Sequence, residues 1–321
     1  MGQEHWQVRR LAGSLGAEIT GLDLNEIASG DQAGIDAVGS LLLEHQVIFF
    51  PGQQMDIDSH VALGKRFGKI ENHPNLKNPF TQHDEVFELA ATHGGVADEW
   101  HTDITFEDQP SIMSILHMVT CPEFGGDTMW TNLHQAYAEL SPPMQALCDG
   151  LTALHDAHPH NREDQMAMHP VVRIHPETGK KALYVNEHFT RRLVEMNATE
   201  SKVVLEYLTE WVKNPRFTVR YHWTPGTIAI WDNRCTQHFV LNDFEGERII
   251  QRVTVMGDVV EAAQPSQWQP WIRPGRLSAT TRLDRQLNRY MRNKAAETCL
   301  LYTSDAADEG LGVDLGGRRI I

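Results

Sequence analysis

Two histidines and one aspartate have the types and spacing of a metal site. His101 and Asp103 stand one residue apart in the segment Trp-His-Thr-Asp, and His238 lies far downstream. Side chains alternate between the two faces of a strand, so His-x-Asp on an extended segment places both groups on one face. Two histidines and a carboxylate bind one face of Fe(II) and leave the other positions open for O2 and a co-substrate. The pattern predicts oxygenase chemistry.

The triad alone is a weak signal, because the chain contains 17 histidines. A structural or interaction protein with a hydrogen-bonded histidine and aspartate network would carry the same residues. We interpret the neighbouring Asp232-Asn233-Arg234 as a turn whose hydrogen bonds orient His238. Other residues near these motifs are expected to be ordinary loop histidines or an unreactive thiol: His155, His158, His160, His169 and Cys235.

Arg248 and Arg252 form a second pair. They are four residues apart on a predicted strand, so both face the same side, with Ile250 between them. A guanidinium turned into a β interior needs an anionic partner, because an unpaired buried charge is very costly. No acidic residue alternates onto that face of the strand. Two small anionic molecules would satisfy both arginines. Alternatively, one arginine pairs with a distant carboxylate and the other lies outside at a bulge.

The composition indicates a folded protein and argues against some classes of partner. The 321 residues suffice for one large domain or two small ones, and 41% are hydrophobic. A formal net charge of −15 argues against nucleic-acid binding but leaves room for a local cationic pocket. The four scattered cysteines form no CxxC pair, which fits a reducing compartment. No apolar run reaches the roughly 18 residues of a membrane span, and no signal-peptide pattern occurs. We therefore expect a cytoplasmic protein with a small-molecule partner.

Hydrophobic periodicity predicts a mainly β protein with helical insertions. Helical spacing occurs at 31–45, 56–68, 141–155 and 199–213, the last with an inward face of Val203, Val204, Tyr207, Leu208 and Trp211. Strands are predicted at 46–50, 86–92, 102–106, 111–119 and 247–255, and hairpins at 171–185 and 217–231. Many strands with few helices favour a closed or sandwiched β core such as a jelly roll.

Residues 299–321 differ in character from the preceding chain. They carry no periodicity and many small residues, and the stretch from Cys299 to Glu309 resembles translated sequencing-adapter read-through. We expect a single domain over 1–298, followed by a tail that is an artefact or disordered. A truncation after residue 298 that abolished folding or activity would contradict this expectation.

Five segments around these residues resemble the taurine dioxygenase (TauD/TfdA) family of Fe(II)/2-oxoglutarate-dependent dioxygenases. They occur in the family's order between about residues 8 and 260: Glu99–Phe106, Gly125–Trp130, His169–Arg173, Val185–Thr190 and Ile230–His238. Several of the segments are long, so the match is specific for the family and much less specific for the substrate.

The resemblance implies a double-stranded β-helix, or jelly roll, in which His101, Asp103 and His238 bind Fe(II). It implies that Arg248, helped by the Thr128 hydroxyl, binds the distal carboxylate of the co-substrate 2-oxoglutarate through bidentate pairing. The second co-substrate is then O2, and family members commonly form dimers or tetramers. The substrate-binding residues carried over from the family are an anion-binding pair and an aromatic residue: His73, Arg252 and Phe189.

Three departures from the family pattern indicate a substrate other than taurine. Leu76, Ala97 and Ala157 stand where the taurine enzyme has a tyrosine, an asparagine and a phenylalanine. Without polar contacts a buried amine lacks partners, which costs about 1–3 kcal/mol or more. We expect a retained anionic head and a bulkier, uncharged body, as in an alkyl sulfonate or alkyl sulfate ester. Hydroxylation of the carbon next to sulfur or the sulfate oxygen then gives an aldehyde plus sulfite or sulfate, with succinate and CO2.

Two alternatives stay open. The same chemistry could act on an aryloxyalkanoate or another carboxylate, because Arg252 would bind that carboxylate equally well. A protein of another class, a jelly roll that binds metal without catalysis, would be indicated by the loss of an arginine or a metal ligand. All of those residues are present.

Overall fold

A computed structural model describes residues 6–74, 83–91, 97–271, 285 and 287–294. The chain divides into two units, Met1–Trp271 and Ile272–Ile321. The strands of the described chain belong to the first unit, and the described residues 285 and 287–294 of the second are helical. Leu76 and the predicted tail at 299–321 lie outside the described residues, so the expected domain end at residue 298 stays a prediction.

The described part of the first unit is mainly β-sheet with helices, as the periodicity predicts. Its strands are β1 (Gln7–Arg10), β2 (Ala17–Thr20), β3 (Val47–Phe50), β4 (Ile70–Glu71), β5 (Phe87–Ala90), β6 (Ser111–Thr120), β7 (Thr128–Asn132), β8 (Thr152–Ala157), β9 (Arg162–Pro170), β10 (Val172–Ile174), β11 (Lys181–Leu183), β12 (Thr190–Leu193), β13 (Thr218–Tyr221), β14 (Ile228–Asp232), β15 (Thr236–Val240) and β16 (Ile249–Met256). Its helices are α1 (Leu24–Ser29), α2 (Gln32–His45), α3 (Ile57–Phe67), α4 (Leu133–Ala138), α5 (Pro142–Asp149) and α6 (Ala198–Trp211). Of the helices in the described ranges, none is long and apolar enough to cross a membrane.

The largest sheet contains eight strands of the described chain. Its order is β1-β2-β3-β14-β6-β16-β4, with β5 beside β16. The neighbouring strands are antiparallel except for the parallel pair β2 and β3. Smaller sheets have the orders β13-β7-β15, β12-β8-β9 and β10-β11. Strand β3 is buried along its whole length, which explains why its sequence is a continuous apolar run rather than an alternating one.

Aromatic side chains pack the largest sheet against the sheet β13-β7-β15. Phe49 of β3 stacks on Tyr221 of β13 with ring centroids 3.8 Å apart, and it meets Trp130 of β7 edge-on at 5.2 Å. Trp231 of β14 also meets Trp130 edge-on, at 5.8 Å. Large aromatic residues bury the most apolar area, so this layer holds the two sheets together.

Helix α3 supports β16, the strand that carries Arg252. The side chain of Asp56 caps the helix by accepting a hydrogen bond from the Ser59 amide at 2.8 Å. Gly64 permits a close approach, because a Cβ at this position would lie 2.5 Å from Cγ1 of Val253. Side chains alternate along a strand, so Val253 faces the helix while Arg252 faces the other side.

Two elements predicted outside the triad are wrong. Residues 141–155 are not one helix, because α5 ends at Asp149 and Thr152 begins β8, which pairs with β9 and β12. Residues 217–231 are not a hairpin, since β13 pairs with β7 whereas β14 pairs with β3 and β6. The partners of β13 and β14, and the partner β12 of β8, are distant in sequence, where local periodicity gives no information. The other partner of β8 is β9, the next strand along the chain. The hairpin predicted at 171–185 is confirmed as the antiparallel pair β10 and β11.

The predicted inward face of α6 is partly wrong. Val203 and Tyr207 are 61% and 44% exposed, whereas the buried residues are Ser201, Leu205 and Leu208. These three residues follow the i, i+4, i+7 spacing of one helix face. The buried face of α6 therefore includes a serine, and Leu208 is the residue that it shares with the predicted face.

Candidate functional site

His101, Asp103 and His238 meet in the structure. Their potential ligand atoms all lie within 4.8 Å of one another, and all three residues are buried. The backbone amide of His101 donates to the carbonyl of His238 at 3.1 Å, and the amide of His238 donates back at 2.8 Å. This two-bond bridge ties the segment around His101 to β15, which carries His238.

The segment after His101 is a turn and not the predicted strand at 102–106. His101 makes an isolated bridge, and residues 103–106 form turns. Ile104 has a φ of 46°, a left-handed conformation that is strained for a β-branched residue. The expected convergence of His101 and Asp103 is therefore produced by a strained turn rather than by strand alternation.

The two histidines are suited to donate lone pairs. Nδ1 of His101 donates its proton to the Glu99 carbonyl at 2.7 Å, so its Nε2 carries the lone pair. That Nε2 lies 3.8 Å from Oδ1 of Asp103, and Nε2 of His238 lies 4.0 Å from the same oxygen. Burial lowers the pKa of His101 well below its ordinary value and that of His238 to about 4. Both imidazoles are therefore neutral near pH 7.

Asp103 is oriented by hydrogen bonds to its other oxygen. Oδ2 accepts from the Ser114 hydroxyl at 2.7 Å and from Nδ2 of Asn233 at 3.5 Å. Asn233 also donates to the Ser114 oxygen at 2.9 Å and accepts from Nε1 of Trp231 at 2.9 Å. The turn predicted around Asn233 is present. Its hydrogen bonds orient Asp103, however, and not His238 as expected from the sequence.

Arg252 pairs with the carboxylate of the triad. Its Nη1 lies 2.6 Å from Oδ1 of Asp103. Burial would raise the pKa of Asp103, but Arg252 and the two histidines hold it below its ordinary value. Of the two partners considered for Arg252, a small anion or a carboxylate distant in sequence, the structure shows the distant carboxylate. Its Nε is buried without a hydrogen-bond partner in the described chain.

Arg248 is a buried cation that has no carboxylate partner in the described ranges. Its Nε donates to the Gly126 carbonyl at 3.1 Å, and its Nη2 donates to the Thr128 hydroxyl oxygen at 3.4 Å. The same hydroxyl oxygen accepts from Nε1 of Trp223 at 2.9 Å. Burial lowers the pKa of Arg248 to about 10, which reflects the cost of a cation without a counter-ion. The surroundings are suited to a small carboxylate anion.

The donor set of the triad fits Fe(II). Two neutral imidazole nitrogens and one carboxylate oxygen are ligands that this metal accepts, and three protein donors leave coordination positions open. The hydrogen bond that His101 donates to the Glu99 carbonyl fixes this histidine, and the hydrogen bond that Ser114 donates to Asp103 fixes the carboxylate, as metal ligands commonly require.

A second group of potential ligands, His175, Asp232 and Cys235, does not fit a metal. Arg234 already donates to both carboxylate oxygens of Asp232, at 2.9 and 2.7 Å, and His175 donates to Oδ2 at 2.9 Å. Burial raises the pKa of Cys235 well above its ordinary value, in line with the expected unreactive thiol. This group is a satisfied ion-pair network.

A cavity of about 380 Å³ connects the triad with both arginines. It is also lined by the other residues assigned to the site from the sequence, His73, Thr128 and Phe189. Ala97 lines the cavity as well. Ala157, in contrast, is fully buried in a cluster with Phe189 and does not line it, so this departure from the family pattern acts at most through Phe189.

Four polar residues of the cavity wall were not expected from the sequence: Asp98, Glu99, His160 and His188. Nδ1 of His188 lies 2.5 Å from Oε2 of Glu99, and its ring centroid is 5.5 Å from that of His101. His160 belongs to a 3₁₀ turn, His158–His160, that brings it to the wall. Glu99 and His188 belong to two of the segments that resemble the family, so the sequence could have indicated that they lie near the site. His160 had none.

Comparison with known proteins places the chain among relatives of one family. The model of the family described as "Taurine catabolism dioxygenase TauD, TfdA family" matches residues 7–254. The alkylsulfatase of Acinetobacter baylyi is 36% identical over 279 residues, which cover 80% of this chain and 87% of that protein. The alpha-ketoglutarate-dependent sulfate ester dioxygenase of Pseudomonas putida is 35% identical over 298 residues, covering 86% of this chain and 94% of that protein.

A solved structure is also similar. The crystal structure of a taurine dioxygenase from Burkholderia xenovorans has a TM-score of 0.72 and 36% sequence identity, covering 80% of this chain and 93% of that chain. The chain therefore belongs to the TauD, TfdA family, as the sequence motifs indicate. As a member of this family, it is a 2-oxoglutarate-dependent dioxygenase. The name alpha-ketoglutarate, used for the Pseudomonas putida enzyme, is a synonym of 2-oxoglutarate.

Proposed function

We propose that this enzyme hydroxylates the carbon next to the sulfate oxygen of an alkyl sulfate ester, or next to the sulfur of an alkyl sulfonate. The unstable product collapses to an aldehyde and sulfate or sulfite, while 2-oxoglutarate becomes succinate and CO2. The observation that carries the proposal is one cavity that contains the triad and two buried arginines, with an apolar wall between them. The apolar wall includes Phe87, Leu89, Leu116, Val240 and Ile250.

We assign the metal to His101, Asp103 and His238. Bound there, Fe(II) supplies activation of O2, coupled to oxidative decarboxylation of 2-oxoglutarate. The protein contributes the position of the ligands. Ser114 and Asn233 hold Oδ2 of Asp103, and the backbone bridge between the two histidines fixes their separation.

We assign the co-substrate to Arg248 and Thr128. The guanidinium of Arg248 can pair with the distal carboxylate of 2-oxoglutarate through two parallel hydrogen bonds, and the Thr128 hydroxyl lies 3.4 Å from its Nη2. Binding provides the buried cation with the counter-ion that the described chain does not supply.

We assign the substrate to Arg252, His73 and Phe189. Arg252 and His73 would hold the anionic head, and the apolar wall would hold the alkyl chain. Ala97 lines the wall where the taurine enzyme carries an asparagine, so an amine would find no partner there. The apolar wall would also keep water away from the reacting carbon.

The remaining assignments concern fold, assembly and location. The facing sheets and the aromatic layer between them support a double-stranded β-helix, or jelly roll. Cys121, Cys148 and Cys235 are free, which supports a reducing, cytoplasmic location. A dimer or tetramer stays a prediction from the family resemblance.

The test is product release from a substrate panel supplied with Fe(II), 2-oxoglutarate and O2. We expect sulfate from hexyl sulfate and sulfite from hexanesulfonate, each accompanied by succinate, and slower release from taurine. Turnover of taurine at least as efficient as that of hexyl sulfate would contradict the assignment of the pocket. Turnover of phenoxyacetate alone would move the enzyme to aryloxyalkanoates.

A further inference from the structure

Trp223 is a buried residue next to the site assigned to 2-oxoglutarate. Tyr221 of β13 pairs with Thr128 of β7, and Trp223 follows two residues after this pair. Its indole packs edge-on against Tyr221 and Trp130, with ring centroids 5.4 and 6.0 Å apart. Trp223 is 3% exposed and is not one of the described residues that line the cavity. Packing therefore fixes the indole, and Trp223 can influence a ligand in the cavity only through another residue.

The hydroxyl oxygen of Thr128 accepts two hydrogen bonds. Nε1 of Trp223 donates to it at 2.9 Å, and Nη2 of Arg248 donates to it at 3.4 Å. A threonine hydroxyl has two acceptor lone pairs and one proton. Because both lone pairs face donors, the O–H bond has only the remaining tetrahedral direction. The hydroxyl donates no hydrogen bond within the described chain, so its proton is available to a ligand.

A nitrogen of Arg248 is available at the same place. Its Nη1 makes no hydrogen bond within the described ranges, and it is not among the fully buried atoms that lack a partner, so it keeps accessible surface. Thr128 and Arg248 both line the cavity. One carboxylate has enough lone pairs to accept from the guanidinium and from the hydroxyl together.

We propose that Trp223 is a positioning residue for the co-substrate, because its N–H orients the Thr128 hydroxyl so that the hydroxyl proton meets the distal carboxylate of 2-oxoglutarate. Without this N–H, the hydroxyl could rotate, and binding would have to fix its orientation. Trp223 itself makes no contact with the co-substrate. The inference rests on the proposed function, since that function assigns the distal carboxylate to Arg248 and Thr128.

The test is a double-mutant cycle on the affinity for 2-oxoglutarate. Calorimetric titration of the Fe(II)-loaded enzyme, kept free of O2, measures the Kd. Trp223→Phe removes the N–H and keeps an aromatic ring, Thr128→Val removes the hydroxyl and keeps the branched shape, and the double variant lacks both groups. The matched control is Trp211→Phe. The N–H of Trp211 donates to the Ala136 carbonyl at 2.8 Å, and Trp211 does not line the cavity.

We expect Thr128→Val to raise the Kd about tenfold, and Trp223→Phe to raise it about three- to tenfold. In the Thr128→Val background, Trp223→Phe should change the Kd by less than about twofold, because the hydroxyl that it orients is gone. Trp211→Phe should bind 2-oxoglutarate like the wild type. The affinity for Fe(II), measured without 2-oxoglutarate, should stay within about twofold in all variants, whereas a general disturbance of the site would lower it.

A Kd of Trp223→Phe equal to that of the Trp211→Phe control would overturn the proposal. A double variant in which the two effects multiply would also overturn it, because Trp223 would then act independently of the hydroxyl. If Trp223→Phe does not fold, replacement of Trp223 by benzothienylalanine keeps the bicyclic ring and places a sulfur at the Nε1 position. This replacement should give the same loss of affinity, and wild-type affinity would overturn the proposal.

The variant Thr128→Val separates this inference from the proposed function. An unchanged Kd in Thr128→Val would show that the hydroxyl does not bind 2-oxoglutarate, and it would overturn both. A raised Kd in Thr128→Val, together with wild-type affinity in Trp223→Phe, would overturn the role of Trp223 alone.

Discussion

Nη1 of Arg252 lies 2.6 Å from Oδ1 of Asp103. The arginine assigned to the substrate head is therefore in contact with the carboxylate assigned to the metal. Neither group meets another opposite charge as closely within the described chain. If these assignments hold, the contact puts the substrate head beside the metal site, as hydroxylation next to sulfur or the sulfate oxygen requires.

Replacing Arg252 should separate substrate binding from metal binding. Arg252→Gln removes a charge-assisted hydrogen bond to the head group, so we expect the KM for hexyl sulfate to rise about 10–100-fold. Fe(II) should still bind, because the three metal donors remain. Steady-state kinetics and an anaerobic Fe(II) titration measure the two effects, with the exposed Arg9→Gln as control. An unchanged KM would remove Arg252 from the substrate site.

Replacing Arg248 should not lower the stability of the protein without 2-oxoglutarate, but it should abolish the stabilisation by 2-oxoglutarate. Arg248→Leu removes a buried cation that has no carboxylate partner in the described ranges, so the melting temperature without 2-oxoglutarate should stay equal or rise. Added 2-oxoglutarate should raise the melting temperature of the wild type and not that of the variant. Thermal unfolding with and without 2-oxoglutarate checks this. A variant that is stabilised by 2-oxoglutarate as much as the wild type would contradict the assignment.

The hydroxyl of Ser114 should matter for metal affinity. Ser114→Ala removes the 2.7 Å hydrogen bond to Oδ2 of Asp103, and we expect Fe(II) to bind about 10–100-fold more weakly. Ser40→Ala on α2 serves as a control, because its hydroxyl bonds only a helix carbonyl. Equal Fe(II) affinities for both variants, measured by anaerobic titration, would show that the carboxylate is held without Ser114.

Acid should destabilise the fold through buried histidines such as His60. Burial lowers its pKa from 6.5 to about 4, so between these values the unfolded state binds a proton that the folded state does not. Stability therefore falls as pH drops through this window, by up to about 1.4 kcal/mol per pH unit for one histidine. His60→Gln keeps the donor to the Ile115 carbonyl and removes the titration.

Urea unfolding from pH 7 to pH 4.5 measures that slope. We expect a shallower loss of stability for His60→Gln than for the wild type, and no such change for the exposed His158→Gln. Parallel curves for the wild type and His60→Gln would show that His60 takes up no proton on unfolding.

The sequence indicated the residues that lie together in the cavity better than it indicated the elements that carry them. The residue types of the triad and of the two arginines follow from motifs, and the structure brings all five into one cavity. The turn after His101 was not predictable, because the bridge to His238 that ends the extended segment is made by residues distant in sequence.

Other errors arise where strand pairing or tertiary packing overrides the local pattern. The helical pattern at 152–155 is overridden by pairing of β8 with β9 and β12. The acidic partner of Arg252 comes from a turn and not from its own strand, so strand alternation could not reveal Asp103. The place of His160 in the wall depends on tertiary packing, for which one histidine in a loop gives no signal.

The stoichiometry of product release tests the proposed function most directly. Purified enzyme with Fe(II), 2-oxoglutarate, O2 and hexyl sulfate should release sulfate and succinate in equal amounts, and His238→Ala should release neither. Equal release would show that decarboxylation is coupled to hydroxylation beside the sulfate oxygen. Succinate without sulfate, or sulfate release that persists in His238→Ala or without 2-oxoglutarate, would contradict the proposed reaction.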